Sequence, residues 1–165
     1  LFEKELPKVA LLNIGSEELK GNAMIKDTYQ FLNQNKFNLF EFSGYIEGNN
    51  IMDGEVNVIV ADGFTGNIAL KTAEGTSNFI ISELKKALGS TFVGKFSSLM
   101  NYTNLKKFKN KLDPRLYNGA ILLGLDKPVI KSHGSTDAIG FANSLKVCEK
   151  TIKGNLINQI KDNLN

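Results

Sequence analysis

Three short strings in this chain combine glycine with polar side chains in a way suited to holding an anion. They are Asn13-Ile14-Gly15-Ser16 leading to Lys20-Gly21-Asn22, then Asp62-Gly63-Phe64-Thr65-Gly66-Asn67 leading to Lys71, and His133-Gly134-Ser135-Thr136-Asp137. Glycine lets the backbone come close to a ligand, lysine supplies a cation, and a helix that follows presents N–H groups with no intrahelical partner. Each string also has an ordinary reading. Asn13, Asp62 and Asn67 are of the types that cap turns and helices, a lone lysine usually sits in solvent, and a lone histidine is often structural. The single Cys148 lies on the apolar face of a helical pattern and makes a poor nucleophile. With one cysteine and one histidine, a Cys/His zinc cluster is excluded by counting.

The elements that must position these strings are legible in the hydrophobic pattern. Lys8 to Ile14 is a continuous apolar run ending at Gly15, the mark of a strand buried on both faces of a parallel sheet. From Ser16 onward Leu19, Ala23, Met24, Tyr29, Phe31 and Leu32 recur at roughly helical spacing, with Ser16 as the cap and Glu17 and Glu18 facing the positive helix end. Leu39 to Tyr45 and Val56 to Ala61 read as strands; Asp62 to Asn67 reads as a turn, and a helix resumes at Ile68 and runs to a C-cap at Gly89. Phe92 to Met100 forms a second amphipathic segment, Asp113-Pro114 breaks the pattern, and Ile121 to Leu123 and Val129-Ile130 are short strands. Thr136 to Leu164 closes the chain as one long helix. Strands alternating with helices of this length predict an α/β fold, a mostly parallel sheet with helices on both faces. Ligands then belong beyond the C-terminal ends of the strands.

Composition sets the remaining bounds. The chain has 165 residues, 42% hydrophobic and 22% charged, which suits one folded domain. Its net charge of +3 is too weak to imply nucleic acid and is compatible with an anionic substrate or acidic partner. No apolar run is long enough to span a bilayer, though contact with a membrane surface stays open. The start, Leu1-Phe2-Glu3-Lys4-Glu5, lacks an initiator Met and any signal-peptide pattern, so a piece of something longer is expected. Lys106, Lys107, Lys109, Lys111 and Arg115 read first as a solvated helix face, and alternatively as a dock for an acidic protein or anionic lipid.

Five strings in order carry a resemblance. Leu11-Leu12-Asn13-Ile14-Gly15 with Lys20-Gly21-Asn22, Gly44-Tyr45-Ile46-Glu47-Gly48, Asp62-Gly63-Phe64-Thr65-Gly66-Asn67 with Leu70-Lys71, Gly119-Ala120-Ile121-Leu122-Leu123-Gly124, and Lys131-Ser132-His133-Gly134-Ser135 are similar to successive motifs of the phosphate acyltransferases of phospholipid synthesis. Asn118 stands where a glycine is expected before Gly119. Residues 1–165 resemble the C-terminal half of that domain, with the N-terminal half absent.

The resemblance implies a partial fold similar to the isocitrate and isopropylmalate dehydrogenases, and acyl transfer from acyl carrier protein to inorganic phosphate with no cofactor and no metal. It also implies a homodimer in the cytoplasm, peripherally associated with the inner membrane, with Leu84, Leu88 and Phe92 at the contact. The reaction must hold phosphate as nucleophile and stabilise the thioester oxygen as charge develops. Lys20, Lys71 and the helix start after Gly134-Ser135 are the expected phosphate ligands, supported by Asn13, Gly15, Asn22 and Gly63. Asn67, His133 and N–H groups near Gly66 would stabilise the carbonyl or protonate the leaving group, and Asp62 would orient a lysine. The alternatives are a phosphate acetyl- or butyryltransferase using coenzyme A thioesters, a dehydrogenase of the same fold, and an inactive dimerising or binding fragment. Against the dehydrogenase stand the missing Gly-x-Gly-x-x-Gly turn and missing paired acidic residues.

Overall fold

The computed structural model describes residues 6–35 and 37–164, without the side chain of Leu164, so the opening Leu1 to Glu5 lies outside the described residues. They fall into two compact units, one ending at Ala73 and the other beginning at Glu74. No helix among the described residues is long and apolar enough to cross a membrane.

The first unit is built on three parallel strands, β1 (Lys8–Asn13), β2 (Glu41–Glu47) and β3 (Val58–Val60), in the order β2-β1-β3. The central strand is the apolar run read from the sequence. Ala10 and Leu12 point to one face, where they bury with Ile46 and pack against Ile51, Val56, Ile59 and Ala69. The other face is covered by α1 (Ala23–Gln34), whose Tyr29 stacks on Tyr45 at 4.5 Å and meets Phe42 edge-on at 5.6 Å. Phe42 and Tyr45 share a face although three positions apart, because the register shifts by one residue between Val9 and Leu11. Ala69 belongs to α2 (Gly63–Gly89), so helices lie on both faces as expected.

Two boundaries differ from the sequence reading. The first helix does not start at Ser16: Asn22 caps α1 by accepting the Ile25 N–H at 3.0 Å, and residues 14–21 form a loop. Leu19, which supplied the early helical spacing, is 85% exposed. The string Asp62 to Asn67 is not a free turn but the opening of α2, with Asp62 as its cap. Asp62 Oδ1 accepts from the N–H groups of Phe64 and Thr65, each at 2.9 Å, and its other oxygen accepts from Thr65 Oγ1 at 2.6 Å.

The second unit holds the rest of α2, then α3 (Phe92–Met100), α4 (Tyr102–Lys111), a 3-10 turn at Pro114–Tyr117, and strands β4 (Ala120–Ile121) and β5 (Ile130–Lys131). β4 and β5 pair antiparallel, so the parallel arrangement is confined to the first unit. The long terminal helix is two: α5 (Ala138–Lys153) and α6 (Leu156–Leu164). The break falls at Gly154 and Asn155, where Asn155 takes the left-handed conformation at φ 49°. Such a residue ends a helix whatever the apolar spacing beyond it.

Candidate functional site

Parallel strands end at a common edge, so the loop after β1 and the start of α2 after β3 lie together at the C-terminal edge of the first unit's sheet. Lys20 is exposed on that loop. Asn67 and Lys71, four residues apart on α2, share one helical face and are both exposed.

Several polar groups near this edge are already committed to structure. Asn13 is 6% exposed and donates its Nδ2 to the Lys20 carbonyl at 3.2 Å, which ties the loop down. Its Oδ1 is buried with no hydrogen-bond partner among the described residues. Through its Nδ2 the Asn13 amide supports the loop that carries Lys20. Gly21 makes this possible: its φ is +92°, and a side chain there would strike Asn13 Oδ1. Asn22 is spent on its cap. Asp62 is spent likewise, bonding Phe64 and Thr65 of its own helix in place of the expected lysine, and the Thr65 hydroxyl is the first cause of its lowered pKa. With Gly63 in the first turn of α2, the helix dipole there is answered by this carboxylate.

The second unit holds the third string in a dense polar network. Asn118, 9% exposed, donates from Nδ2 toward Ser132 Oγ at 2.9 Å, Thr136 Oγ1 at 3.0 Å and the Gly140 carbonyl at 2.9 Å. Its Oδ1 accepts the His133 N–H at 3.0 Å. Ser144 Oγ adds bonds to Ser132 Oγ and the Gly140 carbonyl. Gly140 is required by this closeness, since a methyl on it would collide with Thr136 Oγ1 and crowd the Asn118 amide. His133 is exposed, with Nδ1 beside Ser135 and Nε2 at 3.9 Å from the Glu74 carboxylate.

The start of α5, an expected phosphate site, carries a carboxylate cap of its own. Asp137 Oδ1 accepts from the N–H groups of Ile139 at 3.1 Å and Gly140 at 3.0 Å, so a carboxylate already fills the place an anion would take. The Gly140 N–H, followed by Arg115, holds the Asp137 carboxyl below its usual pKa. Arg115 leaves the basic run for the same reason: it grips Asp113 through Nε and Nη2 and Asp137 through Nη1, which raises its own pKa further. Lys106, Lys107, Lys109 and Lys111 remain exposed on or at the end of α4. Gly134 and Ser135 are exposed in the loop before the cap.

Leu84 and Leu88 are half-buried on α2, whereas Phe92, Val93, Phe96, Leu99 and Met100 are exposed along α3. The apolar surface therefore centres on α3 rather than on the end of α2. Glu74 and Asn118 are the two groups at His133 that the reading of single strings could not reach. Asn118 carried a signal, a polar residue where glycine was expected; Glu74 carried none.

Comparison with known proteins agrees with the order of motifs. The fatty acid synthesis protein family matches residues 1–159. The chain is 69% identical over 164 residues to a phosphate acyltransferase of Pelagibacter ubique, covering 99% of this chain and 49% of that protein. It is 44% identical to one of Fusobacterium nucleatum, covering 96% and 47%, and 39% identical to one of Legionella pneumophila, covering 98% and 47%. The chain thus spans about half the length of these curated relatives. Matched across almost all of its residues, the chain belongs to the fatty acid synthesis protein family, with phosphate acyltransferases as its relatives.

Proposed function

We propose that this chain is part of an acyltransferase that moves a fatty acyl group from the thioester of acyl carrier protein to inorganic phosphate. The observation that carries the reading is the 69% identity to a phosphate acyltransferase over nearly the whole chain. An oxygen of hydrogen phosphate attacks the thioester carbonyl carbon, the carbon–sulfur bond breaks, and the leaving thiolate takes up the proton that the phosphate gives up. At neutral pH phosphate already carries negative charge, so it needs cations and N–H donors more than a base. Lys20, Asn67 and Lys71 supply such groups in the first unit, and His133 and Ser135 supply them in the second. The four exposed lysines of α4 suit the acidic carrier protein, and the exposed apolar face of α3 suits a membrane surface. A homodimer peripherally attached to the cytoplasmic side of the membrane accords with this reading.

The test uses the full-length protein that contains this chain, supplied with phosphate and either acyl carrier protein thioester or acyl coenzyme A. Acyl phosphate, trapped with hydroxylamine, is expected from the first donor. Equal or greater turnover with coenzyme A thioesters points to the acetyl- and butyryltransferases instead, and no acyl phosphate from either donor ends the reading. A second reading, a binding or dimerising fragment, is favoured for the isolated chain by the exposed apolar residues of α3. Acyl phosphate formed by the 165-residue chain alone would remove it.

A further inference from the structure

The proton on the His133 ring can be placed from its surroundings. Ser135 donates its backbone N–H to His133 Nδ1 at 3.3 Å, and its hydroxyl lies 2.9 Å from the same atom. A backbone N–H has only a proton to give, so Nδ1 must present its lone pair and the neutral ring must carry hydrogen on Nε2. Glu74 agrees with this independently. Its carboxylate lies 3.9 Å from Nε2 and accepts but cannot donate, so it favours an N–H on that side.

What keeps the ring in this pose is the backbone beneath it. The His133 N–H is held by Asn118 Oδ1, and the His133 carbonyl accepts the Thr136 N–H at 3.1 Å, closing a tight turn that brings the Ser135 N–H over Nδ1. Asn118 Nδ2 then fastens both ends of that turn, Ser132 and Thr136, to the first turn of α5 at Gly140. Its two hydrogens face three acceptors drawn from Ser132, Thr136 and Gly140, so one amide ties the loop to the helix at several points.

We propose that Asn118 is a positioning residue that fixes His133 as the Nε2–H tautomer, so that the ring acts as a hydrogen-bond donor to an oxyanion and not as a general base. This rests on the acyl-transfer reading only for the identity of the oxyanion, a phosphate oxygen or the developing thioester oxyanion. A base would need the lone pair on Nε2, and the Ser135 N–H commits that lone pair to Nδ1. The donor role also fits the chemistry, since an anionic phosphate gains more from a donor than from a base.

His133 is the only histidine of the chain, so its ring nitrogens can be read without assignment after labelling the 165-residue protein with 15N-histidine. In the neutral ring the Nε2–H pattern is expected. Ser135→Ala, which keeps the backbone N–H, retains it; Ser135→Pro, which removes that N–H, and Asn118→Ala give a mixture of tautomers. Should Asn118→Ala not fold, Thr136→Val removes one acceptor of the network at similar volume and shifts the ratio in the same direction. An Nδ1–H ring in the unaltered protein overturns the proposal, as does an unchanged ratio in folded Asn118→Ala or, where that variant does not fold, in Thr136→Val. In the full-length protein Asn118→Ala lowers kcat for acyl phosphate about tenfold with the KM for acyl donor unchanged. Unchanged kcat in a variant of mixed tautomer overturns the donor role. The expected tautomer in a protein that makes no acyl phosphate leaves the positioning intact and removes the acyl-transfer reading alone.

Discussion

Two buried asparagines, one in each unit, are used in opposite ways. Among the described residues, the Asn13 side chain at the end of β1 makes one hydrogen bond and leaves its oxygen without a partner, while Asn118 engages both its amide and its oxygen with four groups. An unmet buried acceptor costs on the order of 1–3 kcal/mol, and a fully bonded amide holds its neighbours in one arrangement. The His133 loop is therefore set in advance by its own unit. The Lys20 loop is held by the Asn13 amide at the Lys20 carbonyl, by its own turn from the Lys20 N–H to the Glu17 carbonyl, and by the close fit of Gly21.

The comparison can be broken most sharply at the chemistry. In the full-length protein His133→Ala and Lys71→Ala are each expected to lower turnover about a hundredfold if they stabilise the transition state. Wild-type rates for both would separate these strings from catalysis. Next in size is the stability of the second unit. Asn118→Ala strands the His133 N–H and takes a donor from the Ser132 and Thr136 hydroxyls, and urea unfolding should show a loss of about 3 kcal/mol. A loss under about 1 kcal/mol would mean that water replaces the amide without penalty.

Asn13→Leu should change stability by no more than about 1 kcal/mol, because the lost bond to Lys20 is offset by removing an unpaired oxygen. A larger loss in the same unfolding measurement would show that Asn13 Oδ1 has a partner, and the contrast with Asn118 would disappear. The smallest effect is on acid stability. Asp137 and Asp62 have pKa values lowered below 3.8 by the groups they bond, so their contribution is present above that value and fades as pH falls through the lower folded pKa. Melting temperature measured downward from pH 5 should drop, and Asp137→Asn, which keeps a capping oxygen without the charge, should flatten part of that drop. An identical acid profile in the variant would assign the loss to other carboxylates.

The fold was legible where burial and period coincide. The run from Lys8 could only be a central strand, because four adjacent positions from Ala10 to Asn13 are buried on both faces. The start of α1 was not legible, since exposed Leu19 mimics a helical repeat while the cap falls at Asn22. The glycines of Asp62 to Asn67 suggest a turn, yet Asp62 with the Thr65 N–H and hydroxyl forms a capping unit that overrides them. Strand direction for β4 and β5 is not encoded in two-residue segments. At the site, residue types could be read but commitments could not. Whether an asparagine or an aspartate is available to a ligand depends on which N–H groups the fold has already brought to it, and Asn22, Asp62 and Asp137 were all taken.

The register shift in β2 has a consequence for how the chain tolerates changes of length. From Glu41 to Glu47 the strand takes six steps while β1 takes five from Lys8 to Asn13, so one residue near Ser43 and Gly44 is spare. Removing it would leave Phe42 and Tyr45 under Tyr29 and Ile46 beside Leu12, with every inward and outward assignment preserved. A deletion anywhere in β1 would instead swap its two sides. In this sheet a shortened sequence is survivable at one spot, and that spot lies in the edge strand rather than the centre.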